Sequence, residues 1–562
     1  MKKVYSLFAL LAVSVLGLSA CGETEDPTDV SGNITADPLD DLGLDEEYLP
    51  VKSAVKLRSG TINVCLEYDG TEDGWEALAE EYGRLHSDQV VVNIKTSTGT
   101  YTDYIQNQEK KLDIVQGNYF TDIENRCQNL YTYLNKENGY CGSEDGDVRY
   151  WQEVLNEEAY VSNQSSNTLY MVNSENLQTC WFVNTEARDK AAQYGYTKKD
   201  SNGNVANPET WDELIELATA MQAAGYAYPI GLSLDKTSCK ANQFTWLLRI
   251  YGDYYFRNEY KNIVNNSKFV YDPTKTNIED GLNFSYKETT LFNAILDSAQ
   301  DGTYTYPDYV GPLSAKHREF FEQFYKLRGL LQSDASTQSQ EQIRSRFQAQ
   351  TTTDAPQIML DYAGEGLIFL KSEKLLNKVD FFDYPKMVSK GGFIDEGTIV
   401  RDVGGNGGYL SAYTKSSDTQ NQLNADFIKF VLSPYGQTVY YNAISQTEFA
   451  PKGLTTVKSE LVVVPETWQE FFNTDKIVFN GLVDKNPFVF NMTVGLGSRS
   501  ESTGALPDLW QGYLVNTGSD EMDTDTALNY WNNCLLESWD SYCDANGFNK
   551  DSYKKPGSEL SN

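Results

Sequence analysis

The first regular pattern of the folded body is an alternation. In "TINVCLEYDG", Ile62, Val64 and Leu66 recur every second residue, which is the period of a half-buried strand. "TEDGWEALAEEYGRLH" follows, with Trp75, Leu78, Tyr82 and Leu85 forming a helical stripe. Asp73, with Glu76 three residues on, predicts its capped start. A second strand is expected at Val90–Ile94, then a helix, then a third short strand in "LDIVQGNYF". Strand–helix–strand at this spacing implies parallel pairing with right-handed crossovers. Further on, "NPETWDELIELATAMQAAG" predicts a helix with Asn207 as cap and Pro208 in its first turn. Trp211, Leu214, Ala218 and Met221 make its buried face, and Gly225 stops it. "PQIMLDY" and "GGYLSAYT" read as strands, and "NADFIKFVLSPYG" as a helix ending near Pro434. The fold class is α/β. Trp75 and Trp211 lie on helical core stripes and are expected to pack.

The opening residues follow another logic. Lys2 and Lys3 precede the apolar run "YSLFALLAVSVLGLSA", the layout of a secretory signal peptide over residues 1–20. The run is shorter than the ~20 apolar residues that a bilayer-spanning helix needs. Leu18-Ser19-Ala20-Cys21 resembles the bacterial lipoprotein box, in which the cysteine is lipidated and becomes the mature N-terminus. Residues 21–56 then carry many carboxylates and few cations. Such a segment buries too little apolar surface to offset its ordering entropy, so a tether holding the body off the membrane is expected.

Charge and cysteines exclude more than they identify. The 562 residues carry a net charge of −34, a field that repels phosphate backbones, so nucleic acid is excluded as a partner. Only His86 and His317 occur, leaving few parts for a zinc site or a Ser/Cys–His nucleophile. No catalytic residue, metal or cofactor is assigned. Seven cysteines remain beyond Cys21. Cys65 reads as core, while Cys127 with Cys141 and Cys534 with Cys543 could each close a short loop outside the cytosol. "DSNGNVANPETW" looks superficially like a calcium loop, but Val205 stands where the loop glycine belongs and Trp211 where the bidentate Glu belongs, so a hairpin turn is expected.

Taken in order, the pieces resemble the family 1 extracellular solute-binding proteins of ABC importers, the maltose-binding-protein-like group. The lipoprotein box comes first, then "GTINVCLEYDGTEDGWEALAEEYGR", "VVVNI", "LDIV", "CWFVNTEA", "NPETWDEL", "APQIMLDYAGEGL", "FDYPKM", "VGGNGGYLSAY" and "NADFIKFVLSPYGQ". The likeness spans roughly residues 60 to 515. Val183 and Thr185 depart from the family's Tyr and Lys, and Glu365-Gly366 replaces its Gly-Trp ending. The resemblance implies two α/β lobes joined by crossing strands with a ligand cleft between them, of the type II periplasmic-binding-protein kind. Lobe 1 is expected at 57–171 and 385–450, and lobe 2 at 172–384 and 451–562. Insertions around 120–170 and 250–310 read as an enlarged binding lobe, with ordinary surface decoration as the alternative.

Ligands of open parallel sheets sit beyond the carboxyl ends of the strands. Within the implied fold, that rule selects Glu67, Tyr68 and Asp69 after the first strand, Thr98 and Tyr101 after the second, and Asn118 and Tyr119 after the third. From the second lobe it selects Trp246, Arg249, Tyr254, Tyr362 and Glu365, with Asn406 in the glycine-rich "VGGNGG". Flat aromatics with polar tips suit the C–H face of a sugar, and carboxylates, amides and Arg suit its hydroxyls. The resemblance therefore implies a monomeric, non-enzymatic receptor for an oligosaccharide. It would be held to the extracytoplasmic side of the membrane through lipid on Cys21 and would deliver its ligand to ABC permease subunits. The rivals are a glycoside hydrolase lipoprotein with two carboxylates about 5–10 Å apart, a helical-repeat glycan-binding lipoprotein of the outer membrane, and a peptide, polyamine or metal receptor on the same fold.

Overall fold

The computed structural model describes residues 29–530 apart from 40–41, 68–69, 118–121, 144, 157–158, 161–166, 236–242, 267–314, 351–352, 373–374, 376–377, 403–404, 452, 467 and 470–504. The signal peptide, Cys21, Cys534 and Cys543 lie outside the described residues.

Alternating apolar positions build the strands of two sheets. The first has six strands: β3 (Gly60–Leu66), β4 (Val90–Thr96), β5 (Ile114–Gly117), β8 (Val172–Leu177), β13 (Gly405–Ala412) and β14 (Leu454–Thr455), in the order β14-β8-β13-β5-β3-β4. β3 pairs in parallel with both β4 and β5, as the strand–helix–strand spacing predicts, and β13 runs antiparallel to β5 and β8. The second sheet contains β9 (Thr179–Asn184), β10 (Ile230–Gly231), β11 (Ile358–Tyr362) and β12 (Val379–Phe382), in the order β10-β11-β9-β12. A six-stranded and a four-stranded sheet exclude the helical-repeat rival. The chain forms two α/β lobes.

Helices α1 (Glu72–Leu85), α2 (Tyr101–Gln108), α9 (Asp418–Val431) and α10 (Pro434–Ile444) belong to the first lobe. The second holds α3 (Thr185–Ala191), α4 (Trp211–Ala223), α5 (Gln243–Asn266), α6 (Ala315–Tyr325), α7 (Gln340–Ala349), α8 (Ala363–Lys371) and α11 (Ala505–Leu514). Trp75 and Trp211 are buried, the latter edge-on to Tyr251 and Phe324. Gly225 ends the α4 region at φ +103°, a conformation that favours glycine.

Three helix ends differ from expectation. α1 starts two residues early, at Glu72 after Thr71 where Asp73 was expected to cap, with no side-chain cap. α4 is capped by Thr210, whose hydroxyl accepts from the Glu213 amide while the Glu213 carboxylate accepts from the Thr210 amide. Asn207 cannot serve there, because its side-chain oxygen, the atom that would cap, accepts from Arg188 Nη1 at 2.8 Å, while its Nδ2 donates to Asp380 and to the Phe381 carbonyl. Pro434 opens α10, where its missing amide costs nothing, after α9 has ended at Val431.

The lobe limits also shift. β8 pairs with β13 and β14, so the change of sheet falls at Gln178 and not at 171/172. Residues 454–468, expected in lobe 2, stay with lobe 1 through β14 and through Trp468 against Tyr441. Met387 and Val400, expected in lobe 1, are buried in the core of lobe 2.

The acidic segment is folded from Asp29 onward. β1 (Asp29–Asn33) pairs with β2 (Lys56–Arg58), Ile34 and Val55 are buried, and Leu39, Leu42, Leu44, Tyr48 and Leu49 pack on lobe 1. The Leu39 amide donates to the Tyr435 hydroxyl at 2.7 Å. Apolar residues scattered among the carboxylates supply the burial that composition conceals. Two more segments, β6 (Glu137–Gly142) and β7 (Val148–Tyr150), form an antiparallel pair inside the first insertion; most of the second insertion lies outside the described residues. Cys127 and Cys141 are free thiols buried in different clusters, which corrects the expected bridge. The Asp200 carboxylate accepts from the amides of Asn202 and Asn204, the hairpin turn expected there.

Candidate functional site

The carboxyl ends of β3 and β5 bring Glu67 beside Gly117 and Tyr101. A Cβ on Gly117 would lie 2.6 Å from Tyr101 Cζ and 2.7 Å from Glu67 Oε2, so only glycine lets these groups meet. Tyr101 heads α2 and is buried, and its hydroxyl has no hydrogen-bond partner among the described residues. Burial, reinforced by Cys65 and Glu67, holds that phenol protonated well above its usual range. It therefore presents an O–H donor next to a carboxylate acceptor. Thr98 lies exposed in the loop after β4. Tyr68, Asp69, Asn118 and Tyr119 lie outside the described residues.

In lobe 2 the structure unites Trp246 of α5 with Tyr362 at the end of β11. Their ring centroids are 4.4 Å apart and inclined by 44°. Glu365 follows in the first turn of α8, with Oε1 3.0 Å from Arg344 Nη1. Arg344 also grips Asp361 with two bonds, Nε to Oδ2 at 2.8 Å and Nη2 to Oδ1 at 2.9 Å, while Gln340 donates to Oδ1 at 2.6 Å. Arg344, Asp361 and Gln340 were not singled out from the sequence. The available signal was the spacing of Gln340 and Arg344, four residues apart and thus on one helical face. Burial opposes the Arg344 charge, but the surrounding carboxylates hold its pKa above the usual value.

Tyr254 is not part of this group. It sits eight residues beyond Trp246, about 12 Å along the helix, and its hydroxyl donates to the Met387 carbonyl at 3.3 Å inside the lobe core. Arg249 lies on α5 and Asn406 pairs with Asn176 in β13; their side chains lie outside the described residues.

The floor between the lobes is a hydrogen-bonded crossing that sequence reasoning missed. Gln178 alone joins β8 to β9, and its carbonyl accepts from the Ala363 amide at 2.7 Å, where α8 begins. Asp402, on the segment that returns from β12 to β13, accepts from the Thr179 amide at 2.6 Å and from its hydroxyl at 3.0 Å. The Thr179 hydroxyl also bonds Tyr384. Next in sequence, Arg401 makes a two-bond pair with Asp253 of α5, both at 2.8 Å and both side chains buried. The two crossing segments are thus tied to each other and to the helix that carries Trp246.

No family model matches the sequence, and no curated protein matches it. Solved structures do match. A family 1 extracellular solute-binding protein from Bifidobacterium longum subsp. infantis is 13% identical, with a TM-score of 0.46, covering 86% of this chain and 99% of its own. The BlMnBP1 binding protein of an ABC transporter from Bifidobacterium animalis subsp. lactis, solved with mannobiose, is 12% identical at a TM-score of 0.45, covering 89% and 98%. The GacH receptor of Streptomyces glaucescens, solved unliganded and with acarbose, is 15% identical at 0.46, covering 87% and 100%.

Proposed function

We propose that this chain is a solute-binding receptor of an ABC importer that captures an oligosaccharide between its lobes and leaves it chemically unchanged. The observation that carries the reading is the Trp246–Tyr362 pair beside the Glu365–Arg344–Asp361 cluster, at the carboxyl end of β11 and next to the Gln178 crossing. Tyr362 is half-buried over the buried Trp246, and the partly accessible Arg344 guanidinium is held by the buried Asp361 and Glu365. An aromatic ring beside a hydrogen-bonding group suits a pyranose, with C–H bonds on the ring face and hydroxyls at the rim. Glu67 and the Tyr101 hydroxyl offer an acceptor and a donor from lobe 1. Ligand contacts on both lobes favour the closed arrangement by differential affinity. Asp361 and Glu365, the carboxylates that gather near Tyr362, are both bonded to Arg344, an arrangement that favours holding a ligand over acid–base chemistry. Lipid on Cys21, with the membrane as its anchor and permease subunits as its partners, completes the reading.

Calorimetry against a glycan panel, with chromatography of the incubated sugars, tests it. Expected are stoichiometric binding, a raised thermal midpoint from mass action on the native state, and no shorter products. Trp246→Ala or Tyr362→Ala should weaken binding by about 1–3 kcal/mol, ten- to a hundredfold. Catalytic release of shorter sugars would transfer the assignment to a hydrolase. Cys21→Ala should abolish fatty-acid labelling and release the protein from the membrane fraction.

A further inference from the structure

Lys371, the last residue of α8, reaches out of its own lobe. Its Nζ lies 3.0 Å from the Ile444 carbonyl, 2.8 Å from that of Thr447 and 2.9 Å from that of Phe449, so each of the three ammonium hydrogens has an acceptor. The same nitrogen sits 4.7 Å from the ring centre of Trp468. The acceptors are the C-terminal end of α10 and the loop after it, where unpaired carbonyls and the helix dipole favour a cation.

The two sides of this contact belong to different lobes. α8 is fixed on lobe 2 through Phe369, whose ring packs against Phe182 of β9 at 5.0 Å and Phe347 of α7 at 5.3 Å. These rings share one buried apolar cluster with Trp75 and Tyr440 of lobe 1, so the lobes also pack together beside Lys371. α10 is fixed on lobe 1 through Tyr440, edge-on to Trp75 of α1. The first amide of α8 bonds the Gln178 crossing, and Lys371 lies eight residues on, about 12 Å away at 1.5 Å per residue. A rigid-body rotation of about 15° about that crossing would carry Nζ some 3 Å from its acceptors, beyond hydrogen-bond range. A turn of that size therefore requires these contacts to break or the flexible lysine stem to follow them.

The cluster also touches the ligand side. Phe449, whose carbonyl Lys371 holds, lays its ring on Gly70, where a Cβ would meet Phe449 Cδ1 at 3.0 Å and where φ is +92°. Gly70 lies three residues after Glu67 in the sequence, and α8 itself carries Glu365. Lys371 thus links the lobe 2 half of the candidate site to the lobe 1 half from behind.

We propose that Lys371 is a positioning residue that latches α8 of lobe 2 to the α10–β14 loop of lobe 1, holding the lobe arrangement seen here and, through Phe449, Gly70. The proposal rests on the two-lobed reading but on no ligand, so its test is independent of the sugar assignment. Spin labels on Glu80→Cys of α1 and Glu216→Cys of α4, both exposed positions, report the interlobe distance in the ligand-free full chain, with the chain lacking the added cysteines as labelling control. The expected result is one narrow distance in the parent. Lys371→Met should shift or broaden it by about 3 Å or more, and Lys371→Arg, which keeps donors and charge, should restore it. A merely structural lysine would lower the thermal midpoint without moving that distance. Identical distributions in the parent and Lys371→Met would overturn the proposal. Should Lys371→Met fail to fold, Lys371→Gln is measured against the same criterion.

Discussion

His86 should make lobe 1 acid-labile, and the size of the effect follows from its surroundings. The ring is fully buried. Its Nδ1 accepts from the Arg58 amide at 3.2 Å, so in the neutral ring the proton sits on Nε2, which donates to the Tyr140 hydroxyl at 2.9 Å. Tyr140 in turn donates to Asp426 at 2.7 Å, and Tyr82 donates to the same oxygen at 2.9 Å. A second proton on the imidazole would set Nδ1–H against the Arg58 N–H and place a charge where no water reaches. Burial accordingly pushes the pKa down from 6.5 to about 4, against the pull of Asp426. A group depressed in the folded state binds more protons when unfolded, so its contribution is present above the unfolded value of 6.5 and is lost as pH falls toward 4. At 1.36 kcal/mol per tenfold change in proton affinity, the loss is roughly 3 kcal/mol. Urea unfolding between pH 7.5 and 4, for the parent and for His86→Gln, measures it. The variant should lose about 1–3 kcal/mol at pH 7 from broken hydrogen bonds, and the gap should narrow or reverse by pH 4. A gap that stays constant with pH would refute the argument.

Two further outcomes follow from the same kind of reasoning. Arg344→Met leaves Asp361 fully buried without its ion-pair partner, so a loss of about 3–5 kcal/mol in stability is expected by chemical denaturation; a loss below 1 kcal/mol would mean that Asp361 is solvated or protonated. Gly117→Ala forces Tyr101 or Glu67 aside and should cost about 1–3 kcal/mol of stability, with weakened binding of the proposed sugar ligand; unchanged binding alongside that stability loss would remove Glu67 and Tyr101 from the candidate site.

Strands were the most legible part of the sequence, because period-two burial acts on residues next to one another. Ile62, Val64 and Leu66 define β3, and the parallel pairing of β3 with β4 and with β5 follows from the strand–helix–strand spacing. Helix starts were less legible, since Thr210 and Asn207 are both good caps and only Arg188, which occupies the Asn207 side-chain oxygen in the folded lobe, decides which is free. The acidic segment misled for a related reason. Its carboxylates dominate the composition, but Ile34, Leu39 and Val55 find their neighbours only in the folded lobe. The site was legible in half. Tyr362 and Trp246 stood at strand and helix positions that a fold-level rule selects, whereas Arg344 and Asp361 become partners only when α7 packs beside β11.

The pairs that sequence reading missed share one cause. Seventeen residues separate Arg344 from Asp361, 148 separate Arg401 from Asp253, and 223 separate Thr179 from Asp402. A carboxylate removed from water must find a cation or several donors, at a cost of several kcal/mol if it does not. In a chain of 80 acidic and 46 basic residues, each buried carboxylate therefore restricts which segments can meet. Asp402 admits only a crossing that presents the Thr179 amide and hydroxyl, and Asp253 only a return strand that offers Arg401. Apolar packing alone would tolerate many ways of laying two connecting segments side by side. These directional pairs select one, and in doing so fix α5, with Trp246 on it, against the crossing about which the lobes would turn.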